Sequence, residues 1–168
     1  YLQSGDVLVI NNTKVLPARL IAKTEAGAER ELLLLEKHGQ GNDHHSSLVM
    51  YRRKLRPSQV LTVGEATITV EQVYDNSTAT IRSDQDLWDL AEQVGSVPLP
   101  PYMHRDEEPG DRERYQTEFA SQKGSVAAPT ASLNLTAQVL DQIKAKGVEV
   151  VELTLHVGLG TFMPIRVD

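Results

Sequence analysis

The hydrophobic pattern changes period along the chain, and the changes mark out its organisation. Asp6-Val7-Leu8-Val9-Ile10 is a short continuous apolar run that predicts a buried strand near the start. From Arg19 to Ser83 the apolar residues are β-branched and partly alternating. Strands are predicted at Arg19 to Thr24, Glu31 to Lys37, Leu48 to Arg53, Val60 to Val63, Ala66 to Tyr74 and Thr78 to Arg82. Clusters of Gly, Pro, Asn, Asp and Ser separate them, with hairpin turns expected at Val63-Gly64-Glu65 and Asp75-Asn76-Ser77 and a longer polar loop from Gly39 to Ser47. Short strands at such intervals predict a small antiparallel β-barrel or meander.

Beyond Ser83 the period becomes helical. Leu87, Leu90, Ala91 and Val94 share one face, Asp84 is placed to begin the helix and Gly95 to end it. Pro98-Leu99-Pro100-Pro101 predicts a rigid extended connector, and a charged loop follows from Arg105 to Arg114. Thr136 is the expected N-cap of a second helix that turns Val139, Leu140 and Ile143 inward and stops at Gly147. Val148 to Val157 then reads as a central strand. The resulting expectation is an α/β (α+β mixed) main domain, residues 1–18 and 84–168, carrying an inserted small antiparallel β-barrel domain, residues 19–83. The start at Tyr1 and the end at Met163-Pro164-Ile165-Arg166-Val167-Asp168 both read as interruptions within the main domain.

Composition adds exclusions. The 168 residues carry a net charge of −6, with 40% hydrophobic and 24% charged residues and no cysteine. Thiolate nucleophiles, cysteine-ligated zinc and iron–sulfur clusters are therefore absent, in keeping with a cytoplasmic protein. No apolar run approaches the roughly 20 residues of a membrane span, so no membrane partner is expected.

Against the acidic balance, Tyr51-Arg52-Arg53-Lys54-Leu55-Arg56 places four cations within five positions beside an aromatic ring. The cluster reads as a solvated strand end, or as phosphate contact in RNA by Arg52, Arg53, Lys54 and Arg56. Asp43-His44-His45 lacks a third ligand at a diagnostic spacing, and no metal is expected there. The acidic run Asp106, Glu107, Glu108, Asp111 and Glu113 reads as a solvated loop or a holder of a cation. From Gly124 to Ser132 the small side chains allow close approach of a ligand, or tight packing of a loop. His156 alternates with Thr154 and Glu152 opposite Leu153, Leu155 and Val157, and a polar stripe on a buried strand requires partners or a function. Gly158-Leu159-Gly160-Thr161 forms a glycine loop at the strand's end, without the third glycine of a dinucleotide fingerprint.

Five strings go further: Asn11-Asn12-Thr13-Lys14-Val15-Leu16-Pro17-Ala18-Arg19-Leu20, Pro98-Leu99-Pro100-Pro101-Tyr102, Tyr115-Gln116-Thr117, Gly124 to Thr130, and Leu155-His156-Val157-Gly158-Leu159-Gly160-Thr161-Phe162. In this order they resemble the signature segments of the S-adenosylmethionine:tRNA ribosyltransferase-isomerase family of queuosine biosynthesis. The resemblance implies a main domain with an inserted barrel, and transfer and isomerisation of the ribosyl group of S-adenosylmethionine onto 7-aminomethyl-7-deazaguanine at the tRNA wobble position. Epoxyqueuosine-tRNA, adenine and methionine are the implied products. It implies tRNA and S-adenosylmethionine as partners, the latter as a ribosyl-donor substrate with no tightly bound cofactor, and a monomer is expected.

Carried onto this sequence, the resemblance implies proton transfer by His156, with Tyr115 and Asn134 beside it in a catalytic set. Substrate contacts are implied for Arg19, Tyr102, Arg105, Gln116, Thr117, Thr130, Gly158, Gly160 and Thr161. One segment departs from the family pattern: Ala131-Ser132-Leu133-Asn134-Leu135-Thr136 stands where Ala-Gly-Leu-His-Phe-Thr is usual. Asn hydrogen-bonds but exchanges no proton near neutral pH. A non-catalytic relative or fragment that binds tRNA or a nucleoside is the alternative expectation.

Overall fold

The structure is a computed structural model that describes residues 1–35, 43–99, 108 and 110–161. Among these, the elements in chain order are β1 (Val7–Asn11), β2 (Thr13–Val15), β3 (Arg19–Thr24), β4 (Glu29–Leu34), β5 (Ser46–Arg52), β6 (Val60–Val63), β7 (Ala66–Val73), β8 (Thr78–Ser83), α1 (Leu87–Val94), α2 (Asp111–Arg114), β9 (Gln122–Ser125), α3 (Ala137–Ala145) and β10 (Glu149–Leu153). Short 3-10 turns occur at Thr130–Ser132 and Leu159–Thr161. The chain divides into two units, Leu16–Glu107 and Tyr1–Val15 with Glu108–Asp168. No helix among the described residues is long and apolar enough to cross a membrane.

In the first of these units, six strands close an antiparallel barrel in the order β3-β4-β5-β8-β7-β6. β6 shows why: Val60 and Thr62 are exposed while Leu61 and Val63 are buried, the period-2 pattern of a sheet with one face on a core. Leu20, Leu32, Val49, Leu61, Ile68 and Ile81 are 0% exposed and fill the interior. The ring is closed by Lys23 opposite Thr62 and Thr24 opposite Leu61, which removes the open edges that a meander would leave. Both hairpin turns lie where expected, with Gly64 at φ +57° and Ser77 at φ +62°. β5 starts at Ser46, inside the segment expected to be loop, because Ser46 and Ser47 pair with Arg82 and Ile81 through the backbone. Lys37, Gly39, Pro100 and Pro101 lie outside the described residues.

Helix α1 buries Leu87, Trp88, Leu90 and Ala91, whereas Val94 in its last turn is exposed, against the inward placement expected. Its N-cap is Asp86, not Asp84: the Asp86 carboxylate accepts from the backbone N–H of Trp88 and Asp89, while Asp84 accepts from Thr67 N at 2.9 Å. Gly95 ends the helix at an ordinary φ of −76°, so its need for glycine is steric. A Cβ there would collide with the carbonyl oxygens of Pro17 and Ala91.

In the other unit, β1 and β10 pair in parallel, from Val7 opposite Glu149 to Asn11 opposite Leu153. A second parallel pair joins β2 and β9. The expected central strand from Val148 to Val157 is shorter and, among the described residues, two-stranded with β1; Val7, Val9, Val151 and Leu153 are exposed. β9 places Gly124 and Ser125 in a strand where a loop was expected, and within the charged loop Asp111–Arg114 forms the single turn α2. Thr136 caps α3 through Val139 N, and Gly147 follows it at φ +81°. Leu140 is the helix's buried residue; Val139 is exposed, contrary to expectation.

Candidate functional site

The β1–β10 ladder stops at Leu153, and side chains take over from there. Asn11 presents its amide as if it were another peptide group: Nδ2 donates to Leu155 O at 3.0 Å, and Oδ1 accepts from Leu155 N at 3.1 Å. Asn12 bridges the same strand tail, donating from Nδ2 to Glu152 Oε2 at 3.0 Å and accepting from Thr154 Oγ1 at 2.6 Å. Ser125 completes the hold by accepting from Val157 N at 2.8 Å, beside Val126 N donating to Val157 O at 2.9 Å. Residues 154–157 are thus held mainly by side chains and, among the described residues, belong to no strand. His156, expected within a strand from Val148 to Val157, therefore lies beyond the end of β10 at Leu153.

The polar stripe of Glu152, Thr154 and His156 does form, and its partners are Asn12 and Thr13. His156 is exposed, and its Nδ1 lies 2.8 Å from the Oγ1 of Thr13, a residue that is 0% exposed. Two residues further along β2, the amide of Gln116 clasps the backbone of Val15, accepting from N at 2.9 Å and donating to O at 2.8 Å. β2 therefore carries His156 through Thr13 and Gln116 through Val15. Beside Gln116, Tyr115 is the buried C-cap of α2 and Thr117 is buried with a hydroxyl that has no hydrogen-bond partner among the described residues.

The remaining expected residues of this unit are not joined to that cluster by a comparable bond. Thr130 opens its 3-10 turn at the surface, Asn134 is exposed between that turn and α3, and Thr161 N donates to Gly158 O at 3.3 Å within the turn that also contains Gly160. In the barrel unit, Arg19 points its Nη2 at Leu99 O at 3.2 Å, and its Nε lies 3.5 Å from Glu31, whose other oxygen is 3.7 Å from Arg52. Tyr102, Arg105, Asp106 and Glu107 lie outside the described residues.

Asp43, His44 and His45 have structural partners. His44 Nδ1 lies 3.1 Å from Asp86 Oδ2, His45 Nδ1 lies 3.3 Å from Ser83 O, and the Asp43 carboxylate pairs with Arg82 at 3.2 Å. The His45 backbone N–H, and after it Arg82, hold the Asp43 carboxyl below its usual range despite some desolvation. Among the described residues no group of three or more His, Asp or Glu side chains is disposed to hold a metal ion.

Sequence reasoning passed over Asn11, Asn12 and Thr13 as site residues. The signal was available in part: three polar residues follow directly on an apolar strand, where another apolar residue would continue it.

Comparison with known proteins gives the arrangement its family. The family model described as Queuosine biosynthesis protein matches residues 1–168. A relative from Pelodictyon phaeoclathratiforme named S-adenosylmethionine:tRNA ribosyltransferase-isomerase is 51% identical over 170 residues, covering 100% of this chain and 49% of the relative. One of the same name from Chlorobaculum parvum is 54% identical over 166 residues, covering 98% of this chain and 48% of its own. A crystal structure of an S-adenosylmethionine tRNA ribosyltransferase from Thermotoga maritima aligns with 94% of this chain and 43% of its own at 24% identity, with a TM-score of 0.40. The chain spans about half the length of the curated relatives it matches. With its whole length matched by the model and its ordered motifs in place, the chain belongs to the queuosine biosynthesis protein family.

Proposed function

We propose that this chain supplies part of an enzyme that transfers and isomerises the ribosyl moiety of S-adenosylmethionine onto 7-aminomethyl-7-deazaguanine in the tRNA wobble position, releasing adenine and methionine and leaving epoxyqueuosine. The match of the family model over residues 1–168 carries this reading. The reaction draws on tRNA and S-adenosylmethionine in the cytoplasm and takes the latter as ribosyl donor rather than as a bound cofactor.

The chemistry needs a proton removed beside the sulfonium, a proton delivered as adenine departs and a neutral amine for attack. His156 is the proposed proton carrier, supported by its exposure and by the Thr13 hydroxyl that orients its ring. A hydroxyl accepts from Nδ1–H and donates to bare Nδ1, so this bond serves both charge states of the imidazole. Gln116 acts through β2, whose backbone it clasps. Tyr115 and Asn134 are proposed to complete the catalytic set, Thr117, Thr130, Thr161 and the backbone at Gly158 and Gly160 to contact the nucleoside and methionine parts, Tyr102 to contact substrate, and Arg19 and Arg105 to hold phosphate or carboxylate.

The test is a chimera in which these residues replace the matched segment of the Chlorobaculum relative. It is incubated with S-adenosylmethionine and amine-bearing tRNA, and adenine and modified tRNA are quantified by mass spectrometry. Product formation, abolished by His156→Gln with the fold retained, supports the reading. A folded chimera without product, rescued by Asn134→His, would instead mark this segment as having lost the reaction.

A further inference from the structure

The basic run at residues 52–56 is divided by the fold. Arg52, the last residue of β5, turns toward Glu31, and Arg53 adopts a left-handed φ of +65° that redirects the chain. Leu55 is then buried, and its exposed neighbours Lys54 and Arg56 both line an open groove of about 1150 Å³ on the barrel. Lys23 and Arg30 line the same groove, and Glu25 is its one carboxylate among the described residues. Four cations against one anion reverse, locally, the sign of a chain whose net charge is −6.

The groove is built rather than incidental. Lys23 sits in β3 between Glu29 of β4 and Thr62 of β6, at the pairing that closes the barrel. Arg30 donates from Nε to Lys54 O at 3.1 Å and from Nη1 to Glu29 O at 2.8 Å, which holds its guanidinium along the wall and pins the Lys54 backbone. The far wall is fixed by Arg56 N donating to the Gln59 side chain at 3.1 Å and by Ser58 N donating to Val70 O at 2.8 Å. Among the described residues no aromatic lines it; Tyr51 lies in β5 opposite Leu32, outside the groove. Bases therefore find no stacking platform among the described residues, while phosphates find four cations, of which the Arg30 guanidinium is tethered by hydrogen bonds.

We propose that this groove, formed by Lys23, Arg30, Lys54 and Arg56, holds the sugar–phosphate backbone of a folded RNA and reads its shape rather than its bases. Arg52 and Arg53 stand outside it. The choice of RNA rests on the proposed function; the groove itself rests on geometry and charge.

The test is fluorescence anisotropy with a labelled tRNA anticodon stem-loop, titrated with the chain at several salt concentrations. Lys23→Gln with Arg56→Gln and Arg52→Gln with Arg53→Gln each remove two positive charges, and circular dichroism checks that both variants fold. The groove pair is expected to weaken binding about tenfold at 0.1 M salt and to reduce the slope of log affinity against log salt by about 2, while the outer pair leaves the slope unchanged. A stem-loop of scrambled base sequence should bind equally well. Equal losses from both pairs, no loss from the groove pair, or equal competition by polyglutamate would overturn the proposal. In the chimera, the groove pair should raise KM for tRNA and leave KM for S-adenosylmethionine alone. Product formed with an unchanged KM for tRNA defeats the groove only; RNA held by the groove without product defeats the proposed reaction only.

Discussion

Thr13 Oγ1 and His156 Nδ1 lie 2.8 Å apart although 143 residues separate them in sequence. Thr13 is fully buried in a short parallel strand, so its hydroxyl is a fixed point against which the exposed imidazole is held. Thr13→Val keeps the volume and removes the bond. The expected cost in stability is about 1 kcal/mol. The larger effect is expected on the ring's position: cross-relaxation NMR should hold the His156 imidazole against residue 13 in the parent chain and in Thr13→Ser, and show a ring of increased mobility in Thr13→Val. Unchanged ring position and mobility in Thr13→Val would remove Thr13 as the positioning residue.

Asn11 tests whether a side-chain amide can continue a sheet. Its two bonds to Leu155 replace one rung of the β1–β10 ladder. Asn11→Ala should cost about 0.5–1.5 kcal/mol by urea unfolding, the net worth of hydrogen bonds whose Leu155 N–H and C=O are exposed and turn to water instead. Asn11→Asp retains the acceptor but loses the donor while ionised, so its cost should be intermediate at pH 7 and smaller at low pH, where the protonated carboxyl regains an O–H donor. Amide hydrogen exchange at Leu155 should quicken in Asn11→Ala more than exchange at Val151, whose place within the strand is untouched.

The barrel was legible because its pattern is local. Leu61 and Val63 fall two apart in a β-branched run, with Thr62 between them, and Gly64 marks the turn, all within one short stretch. Parallel pairing left no such trace: β2 and β9 bury Thr13 and Ser125, which no hydrophobic pattern marks, and their register unites residues about a hundred positions apart. The N-cap of α1 shows a finer limit. Asp84 and Asp86 both suit the position chemically, and tertiary contact decides, since Asp84 is taken by Thr67. For the candidate site, the sequence marked His156 and the stripe it belongs to, but a single chain does not reveal that Asn12 and Thr13 would meet that stripe.

Gly95→Ala separates steric from conformational need. At φ −76° alanine suffers no backbone strain, yet its Cβ would meet two carbonyl oxygens, Pro17 O and Ala91 O. Neither is the movable end of a side chain, so helix α1 must shift from the segment it abuts. The expected cost is about 1–3 kcal/mol, as for other overpacked sites, measured as a fall in urea midpoint with unchanged slope. Gly110→Ala offers the contrast: nothing lies within 4 Å of a Cβ there, and its φ of +96° makes the cost one of backbone strain alone.

Asp86 gives the barrel unit a pH dependence whose sign follows from its contacts. Burial works against its ionisation, but the N–H groups of Asp89 and Trp88 and the charge of His44 outweigh it, and the carboxyl is held below the ordinary value. A carboxyl with a lower pKa in the folded than in the unfolded chain adds stability that is fully present above the unfolded value of about 3.9 and is lost as pH falls through the folded value. Asp86→Ala should cost about 1 kcal/mol at pH 7, the loss typical of an N-cap. Asp86→Asn keeps a capping acceptor and loses the charge at the helix N-terminus and toward His44, so a cost of a few tenths to about 1 kcal/mol is expected there. The difference between the parent and Asp86→Asn should shrink toward zero as urea unfolding is repeated from pH 7 down to pH 3. A difference that stays constant over that range would show that the carboxylate's charge contributes nothing to holding α1.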